Sequence, residues 1–398
     1  RMSVAPSSWW PILALLFFIG ILLKFYLLAA FAVMLFVVGA LARWWQRHAL
    51  DNVIIRRLPF YKRGFPGEEI PVKLEVENHK FLPLSWLRVR DSWPYLVGPQ
   101  DENLLLPTHD PRRGDMVNLF SLRWYERARR AYNLALRKRG VYALGPAKIE
   151  SGDLFGLFDR AEDYKKLDYI TVFPQPIPFE RLRLPADDPF GDRRALRRLF
   201  EDLNQPMGVR DYHPEDDFRH IHWPATAHTG ELQVRVYQPV SAQVLVVCLN
   251  VTTFKYHWEG VDPELLEHLV SVTASLVQRA LEDGFRVGLI SNGALAHADQ
   301  PFRVPPGRSP KQLAQLLETL AGVTPIVTAP FERLLVRDVP RLPYGARLLI
   351  VTATVTDELS STLMRLKQHG RRITMLSFAQ TAPQEIPGVR IIHTPFVR

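Results

Sequence analysis

The side chains able to do chemistry concentrate in one segment, Gly208-Val-Arg-Asp-Tyr-His-Pro-Glu-Asp-Asp-Phe-Arg-His-Ile-His-Trp223, just ahead of an apolar run that reads as a buried strand. Three chemistries fit these residue types. As a metal site, His213, Asp216, Asp217, His220 and His222 offer nitrogen and oxygen ligands, and Asp216 and His220 stand four apart, the spacing of one helix face. Pro214 and Pro224 argue against a continuous helix there, and none of the usual zinc spacings is present. As a hydrolase, Asp216, Asp217 and His220 would have to converge in a water-accessible cleft with strongly shifted pKa values. As an ion-pair network, Arg210, Arg219 and Arg235 would fork onto Asp211, Asp216 and Asp217 and pin the segment in one geometry. The ion-pair network is the expectation, and no metal is expected.

The elements that position this segment begin with the N-terminus. From Trp9 to Ala42 the chain is apolar except for Lys24. One helix needs about 20 apolar residues to cross a bilayer. The stretch therefore predicts a transmembrane helical hairpin over residues 1–50, Trp9–Leu23 up and Phe25–Ala42 back, with Lys24 at the turn; a single tilted span is the alternative. Trp9, Trp10, Trp44 and Trp45 mark an interfacial belt, and Arg43, Arg47, Arg56 and Arg57 after the second span place the soluble part in the cytoplasm. The same flanking arginines account for much of the net charge of +9 over 398 residues. The one cysteine, Cys248, excludes a disulfide framework, and its setting in Val244–Leu249 predicts a buried, inert thiol.

Residues 51–180 alternate apolar and polar side chains in short runs, including Val53–Leu58, Ile70–Glu77, Trp86–Asp91, Leu119–Trp124 and Tyr132–Arg137, which predicts an antiparallel β-sandwich domain. Residues 181–240 read as a linker and signature segment. Within it Arg193, Arg194, Arg197 and Arg198 would give a short helix one basic face, a candidate for anionic lipid; no aromatic stacking pattern accompanies it, and no nucleic acid partner is expected. Residues 241–398 alternate strands and helices: strands at Val244–Leu249, Phe285–Ile290, Leu348–Thr352, Ile373–Ser377 and Val389–Ile392, with helices at Pro263–Glu282, Pro310–Leu320 and Asp357–His369. Ligands of such α/β sheets sit at the carboxyl ends of the strands, here Asn250, Ser291, Thr352 and Ser377.

The pattern Gly208, Arg210, Tyr212, Pro214, Asp216, Asp217, Arg219, Ile221, Trp223, then Gly230-Glu-Leu232 and Arg235, resembles the signature of the prokaryotic family called domain of unknown function 58. Arg139-Gly-Val-Tyr-Ala-Leu-Gly-Pro146 and Asp153-Leu-Phe-Gly-Leu-Phe158 resemble its second hallmark. Glu215, Pro224 and His228 depart from it, standing where Gly, Lys and Arg are usual. The resemblance implies a prokaryotic inner-membrane protein with its soluble domains in the cytoplasm and a C-terminal von Willebrand factor A-like domain. It also implies a MoxR-type AAA+ ATPase as partner and no established catalysis. A von Willebrand A domain holds Mg²⁺ with an Asp-x-Ser-x-Ser loop; the matching positions here are Asn250, Thr252 and Phe254, beside Thr253, so the site is expected to be degenerate and no cofactor is expected. The functional expectation is a non-enzymatic, membrane-anchored scaffold.

Overall fold

The computed structural model describes residues 9–153, 158–182, 201–213, 221–239, 244–255, 259–296, 298–343 and 345–396. The chain divides into two compact units, Arg1–Phe173 and Pro174–Arg398.

The first unit opens with two apolar helices, Trp9–Leu22 and Tyr26–His48. Lys24 between them takes a left-handed backbone, φ 58°, which reverses the chain. The two helices pack closely enough that a Cβ on Gly20 would come within 2.8 Å of the Ala29 backbone nitrogen, and the rings of Trp10 and Phe36 meet edge-on at 4.8 Å. Tyr26–His48 is long and apolar enough to cross a membrane. Trp9–Leu22, at 14 residues, falls short of the roughly 20 that a straight span needs. The second helix runs past Ala42, where the hydropathy weakens, to His48, carrying Arg43, Trp44, Trp45 and Arg47 in its last turns.

Two antiparallel sheets follow. One runs in the order Val53–Pro59, Glu69–Asn78, Arg127–Leu136, Val97–Pro99; the other runs Asp159–Tyr164, Ala147–Gly152, Leu84–Pro94, Arg113–Leu122, Leu105–Pro107. A small third sheet joins Arg63–Gly64, Asp168–Val172 and Gly140–Leu144. Alternation decides which side chains meet: in Arg113–Leu122 every second residue is buried. Ile55, Leu74 and Val76 of the first sheet pack on Leu87, Val89 and Phe120 of the second, and Ala49 and Leu50, just past the long helix, are buried in the same core. The strand expected over Leu119–Trp124 stops at Leu122, because Trp124 and Tyr125 form the turn into the next strand. Arg57, read from sequence as a membrane-flanking charge, is instead 5% exposed inside this unit, hydrogen-bonded to Asp91.

The second unit is built on a six-stranded sheet. Numbered along the chain, its strands are Val244–Leu249, Arg286–Ser291, Phe302–Gly307, Arg347–Thr352, Arg372–Ser377 and Arg390–His393, and they lie in the order 3-2-1-4-5-6. All neighbours are parallel except the third, which runs antiparallel at the edge. The first and fourth strands are buried along their whole length, as central strands covered on both faces must be. Helix Pro263–Glu282 starts where Asp262 accepts from the Glu264 and Leu265 amides. Helix Phe331–Asp338, a short amphipathic element that sequence reading passed over, packs with Asp357–Gln368 on the same core. Within residues 181–240, Glu201–Asp211 and Gln233–Pro239 pair as an antiparallel ribbon.

Candidate functional site

Two places in the second unit concern the residues singled out from sequence. The first is the ribbon. Gly208 and Arg210 lie on one strand opposite Val236 and Val234, Arg235 lies on the other opposite Val209, and the Tyr212 amide donates to the Leu232 carbonyl at 2.9 Å. Buried Ile221 bridges to Val234 and brings helix Trp223–Thr229 onto the ribbon. His222 caps that helix, its Nδ1 accepting from the Ala225 amide at 3.0 Å, so this candidate metal ligand has a structural use for that nitrogen. Gly230 ends the helix with φ 75°, a conformation suited to glycine. Trp223 is 65% exposed. Asp211 accepts from Gln233 Nε2 at 2.6 Å. Pro214, Asp216, Asp217, Arg219 and His220 lie outside the described residues, as do Arg193, Arg194, Arg197 and Arg198. Among the described residues, no group of three or more His, Cys, Asp or Glu is placed to hold a metal ion.

The second place is the point where the strand order reverses, between the first and fourth strands, at which open α/β sheets bind their ligands. Asn250 ends the first strand and Thr352 the fourth, and Asn250 Nδ2 donates to Thr352 Oγ1 at 3.1 Å. Asn250 Oδ1 accepts from the Thr252 amide and from Asn292 Nδ2, both at 3.1 Å. Asn292 Nδ2 also reaches Thr252 Oγ1 at 3.2 Å, while its Oδ1 accepts from the Val251 amide at 2.9 Å. Thr354 Oγ1 donates to the Thr252 carbonyl at 3.3 Å. The loop after the first strand is thus held by neutral amides and hydroxyls bonded to one another. Thr253 points elsewhere: its Oγ1 accepts from the Asp262 amide at 2.7 Å and ties the loop to the start of helix Pro263–Glu282.

In front of this network opens a cleft of about 630 Å³ lined by Asn250, Thr252, Lys255, Glu332, Thr356, Asp357 and Glu358, among others. Thr356 shapes its floor. Its hydroxyl accepts from the Leu359 amide at 3.1 Å, capping helix Asp357–Gln368, and donates to Glu332 Oε1 at 2.9 Å. Among the described residues of its lining, three carboxylates stand against one ammonium, an arrangement complementary to basic and hydrogen-bonding groups. Sequence reading reached Asn250, Thr252 and Thr352 through their place at strand ends. It missed Asn292, Glu332 and Thr356; the only local signals were the Ser291-Asn292-Gly293 stop after an apolar strand and Thr356 ahead of two acids.

Elsewhere, Cys248 and Arg57 serve the fold. Cys248 is fully buried, and burial pushes its thiol well above the ordinary range, which leaves it unreactive. In the first unit, Arg57 Nε and Nη2 each donate to Asp91 at 2.7 Å, Trp93 Nε1 donates to the same carboxylate at 2.7 Å, and Arg57 Nη1 reaches Asp168 at 3.2 Å. Burial opposes the Arg57 charge, and the hydrogen bonds and charges of Asp91 and Asp168 outweigh it, holding the guanidinium above its ordinary pKa.

Among solved structures, the chain is similar to the CARDB domain of a Pyrococcus furiosus protein, at 10% identity and a TM-score of 0.21, covering 30% of this chain and 91% of that one. It is also similar to a non-cellulosomal cohesin from Archaeoglobus fulgidus, at 14% identity and a TM-score of 0.21, covering 33% and 96%. Likenesses this slight carry no argument. The Uncharacterized protein YeaD of Bacillus subtilis (strain 168) is 22% identical over 246 residues, 60% of this chain and 56% of that protein, so the match spans little more than half of the relative. Residues 208–392, from the signature glycine to the last strand of the α/β sheet, match the family described as Protein of unknown function DUF58.

Proposed function

We propose that this protein is a membrane-anchored, non-enzymatic scaffold whose C-terminal α/β domain, of von Willebrand factor A-like type, docks a protein partner at the cleft in front of Asn250. The observation that carries the reading is the state of the strand-end network. Where a von Willebrand A domain would present a carboxylate and two hydroxyls to a cation, this chain presents Asn250 and Thr252, both already bonded within the protein. A hard divalent cation needs charged oxygen ligands. A preformed neutral ledge at the mouth of a charged cleft suits side-chain recognition instead. The 3-2-1-4-5-6 strand order with one antiparallel edge supports the domain type.

In this reading the anchor is the Tyr26–His48 helix, with Trp9–Leu22 as a shallow first span, and the positive charge of Arg43 and Arg47 at its end supports a cytoplasmic side for the soluble units at a prokaryotic inner membrane. The partner that the family resemblance implies is a MoxR-type AAA+ ATPase acting in protein assembly or maturation. The test is affinity recovery of the full-length, membrane-extracted protein, native and with Asp357→Arg/Glu358→Arg at the exposed rim of the cleft. Recovery of an AAA+ ATPase with the native chain and its loss with the reversed charges supports the proposal. Equal recovery from both moves the docking surface away from this cleft, and recovery of no ATPase by the native chain removes the assigned partner.

A further inference from the structure

One end of the β-sandwich carries an exposed aromatic cluster. Phe81 is 72% exposed, Trp124 57% and Tyr125 69%. The Phe81 and Trp124 rings stack on each other, centroids 5.3 Å apart and 7° from parallel. They come from two different loops, His79–Pro83 and Arg123–Glu126, stitched together by the Tyr125 amide donating to the Lys80 carbonyl at 3.2 Å and the Asn78 amide to the Glu126 carbonyl at 2.9 Å. Tyr125 is held at φ 52°, a left-handed conformation unfavourable for a bulky side chain. The turn that carries the exposed rings is thus held in an unfavourable backbone conformation.

The position of this end follows from the strand register. Val53 pairs with Asn78, and Leu84 with Leu122, so both aromatic loops lie at the end of the sandwich where the chain enters from the long apolar helix. Hydrogen bonds tie this end to the helix terminus. Lys80 Nζ donates to the carbonyls of Ala49 and Asp51 at 2.6 and 2.7 Å, the His79 amide donates to the Asn52 carbonyl at 3.0 Å, and Gln46 Nε2 donates to the Asp159 carbonyl at 2.7 Å. Trp44, 53% exposed, stands four residues before the helix end at His48, about 6 Å along the axis at 1.5 Å per residue. With Trp44 at the edge of the hydrocarbon, His48 stands at the outer boundary of the headgroup layer, which is roughly 6 Å thick on each side, and the sandwich core, which packs on Trp45, reaches into that layer. Tryptophan and tyrosine favour that layer because one part of the ring system is apolar and the other hydrogen-bonds.

We propose that the Phe81–Trp124–Tyr125 tip is a second, peripheral membrane contact: it lies in the interfacial layer of the bilayer that holds the Tyr26–His48 helix and fixes the tilt of the sandwich on the membrane. The exposed Arg123 beside it faces anionic headgroups. This inference rests on the membrane anchoring proposed above, and the experiment separates the two. The buried Cys248 gives no labelling background, so single cysteines can carry nitroxide labels on the full chain in phosphatidylcholine–phosphatidylglycerol liposomes. Tyr125→Cys leaves the stacked pair intact. Met34→Cys, on the exposed face of the helix, reports the anchor, and Leu106→Cys, at the opposite end of the sandwich, reports water. The expected result is that oxygen relaxes the Tyr125 label severalfold more than a water-soluble nickel chelate does, with the ratio at Leu106 reversed. Adding Phe81→Ser/Trp124→Ser should bring the Tyr125 label to the Leu106 value. A water-exposed label at Tyr125 with an oxygen-exposed label at Met34 overturns the contact and leaves the anchor standing. A water-exposed label at Met34 overturns both.

Discussion

Removing the Asp91 carboxylate is the sharpest perturbation that the first unit offers. The Arg57 side chain is 1% exposed and that of Asp91 is 0% exposed. Asp91→Ala leaves the guanidinium Nε–H and Nη2–H and the Trp93 indole N–H without their acceptor in a site closed to water. Each buried donor left unsatisfied costs about 1–3 kcal/mol, and breaking a buried pair from one side costs roughly 3–5 kcal/mol. Asp168, at 3.2 Å from Arg57, and the Lys166 carbonyl, at 2.9 Å, still hold part of the charge. The loss should therefore lie near the lower bound, about 3 kcal/mol. The assay is hydrogen exchange of the Leu74 and Val89 amides, which lie on interior strands of the two sheets, in the full chain in detergent, which reads this unit independently of the other. A loss of about 3 kcal/mol raises their exchange roughly a hundredfold. The partner variant Arg57→Met/Asp91→Leu/Trp93→Phe removes charges and donors together and should lose roughly 2 kcal/mol or less. Exchange in Asp91→Ala within about fivefold of the native rate would refute the reasoning, as would a triple variant worse than the single one.

Three further outcomes follow from local geometry. A Cβ on Gly208 would meet nothing within 4 Å, so Gly208→Ala should leave the melting temperature unchanged; a drop of several degrees would show that the signature glycine has a steric role. Thr356→Ala should cost about 1 kcal/mol in thermal unfolding through the lost helix cap, and Thr356→Ser should recover most of it. His268 packs against the rings of Phe378 and Phe396, at 5.1 and 5.0 Å, and burial holds its imidazole below the ordinary 6.5. The unfolded chain then takes up the proton first as pH falls. The contribution of His268 is complete above about 6.5 and is lost as pH falls through the lower folded value. Melting curves between neutral and mildly acidic pH should show that slope in the native chain and a flatter one in His268→Phe.

Periodicity made the sheets legible. The alternation of Ile70–Glu77 and the unbroken apolar run Val244–Leu249 each report a burial pattern that local sequence sets by itself. The helix boundaries at Asp262 and Gly284 were legible for the same reason, since caps are local. What escaped was made by long-range pairing. Arg57 and Asp91 are 34 positions apart, and nothing near Arg57 distinguishes it from its exposed neighbour Arg56 except the face of the strand on which it falls. Asn292 gains its place beside Asn250 only when the parallel register sets Leu249 against Ser291. The cleft likewise depends on helix Phe331–Asp338, whose eight residues are too few for a clear helical period.

The proposed function requires that the cleft at the switch point meet a protein partner. Its most direct test is site-specific photocrosslinking in cells, with a photoreactive residue replacing exposed Lys255 in the cleft and, in parallel, Leu106 on the first unit. The expected result is one discrete adduct from the Lys255 position that contains an AAA+ ATPase subunit, and none of that mass from Leu106. No adduct from the Lys255 position, with the protein present at native levels, would contradict it.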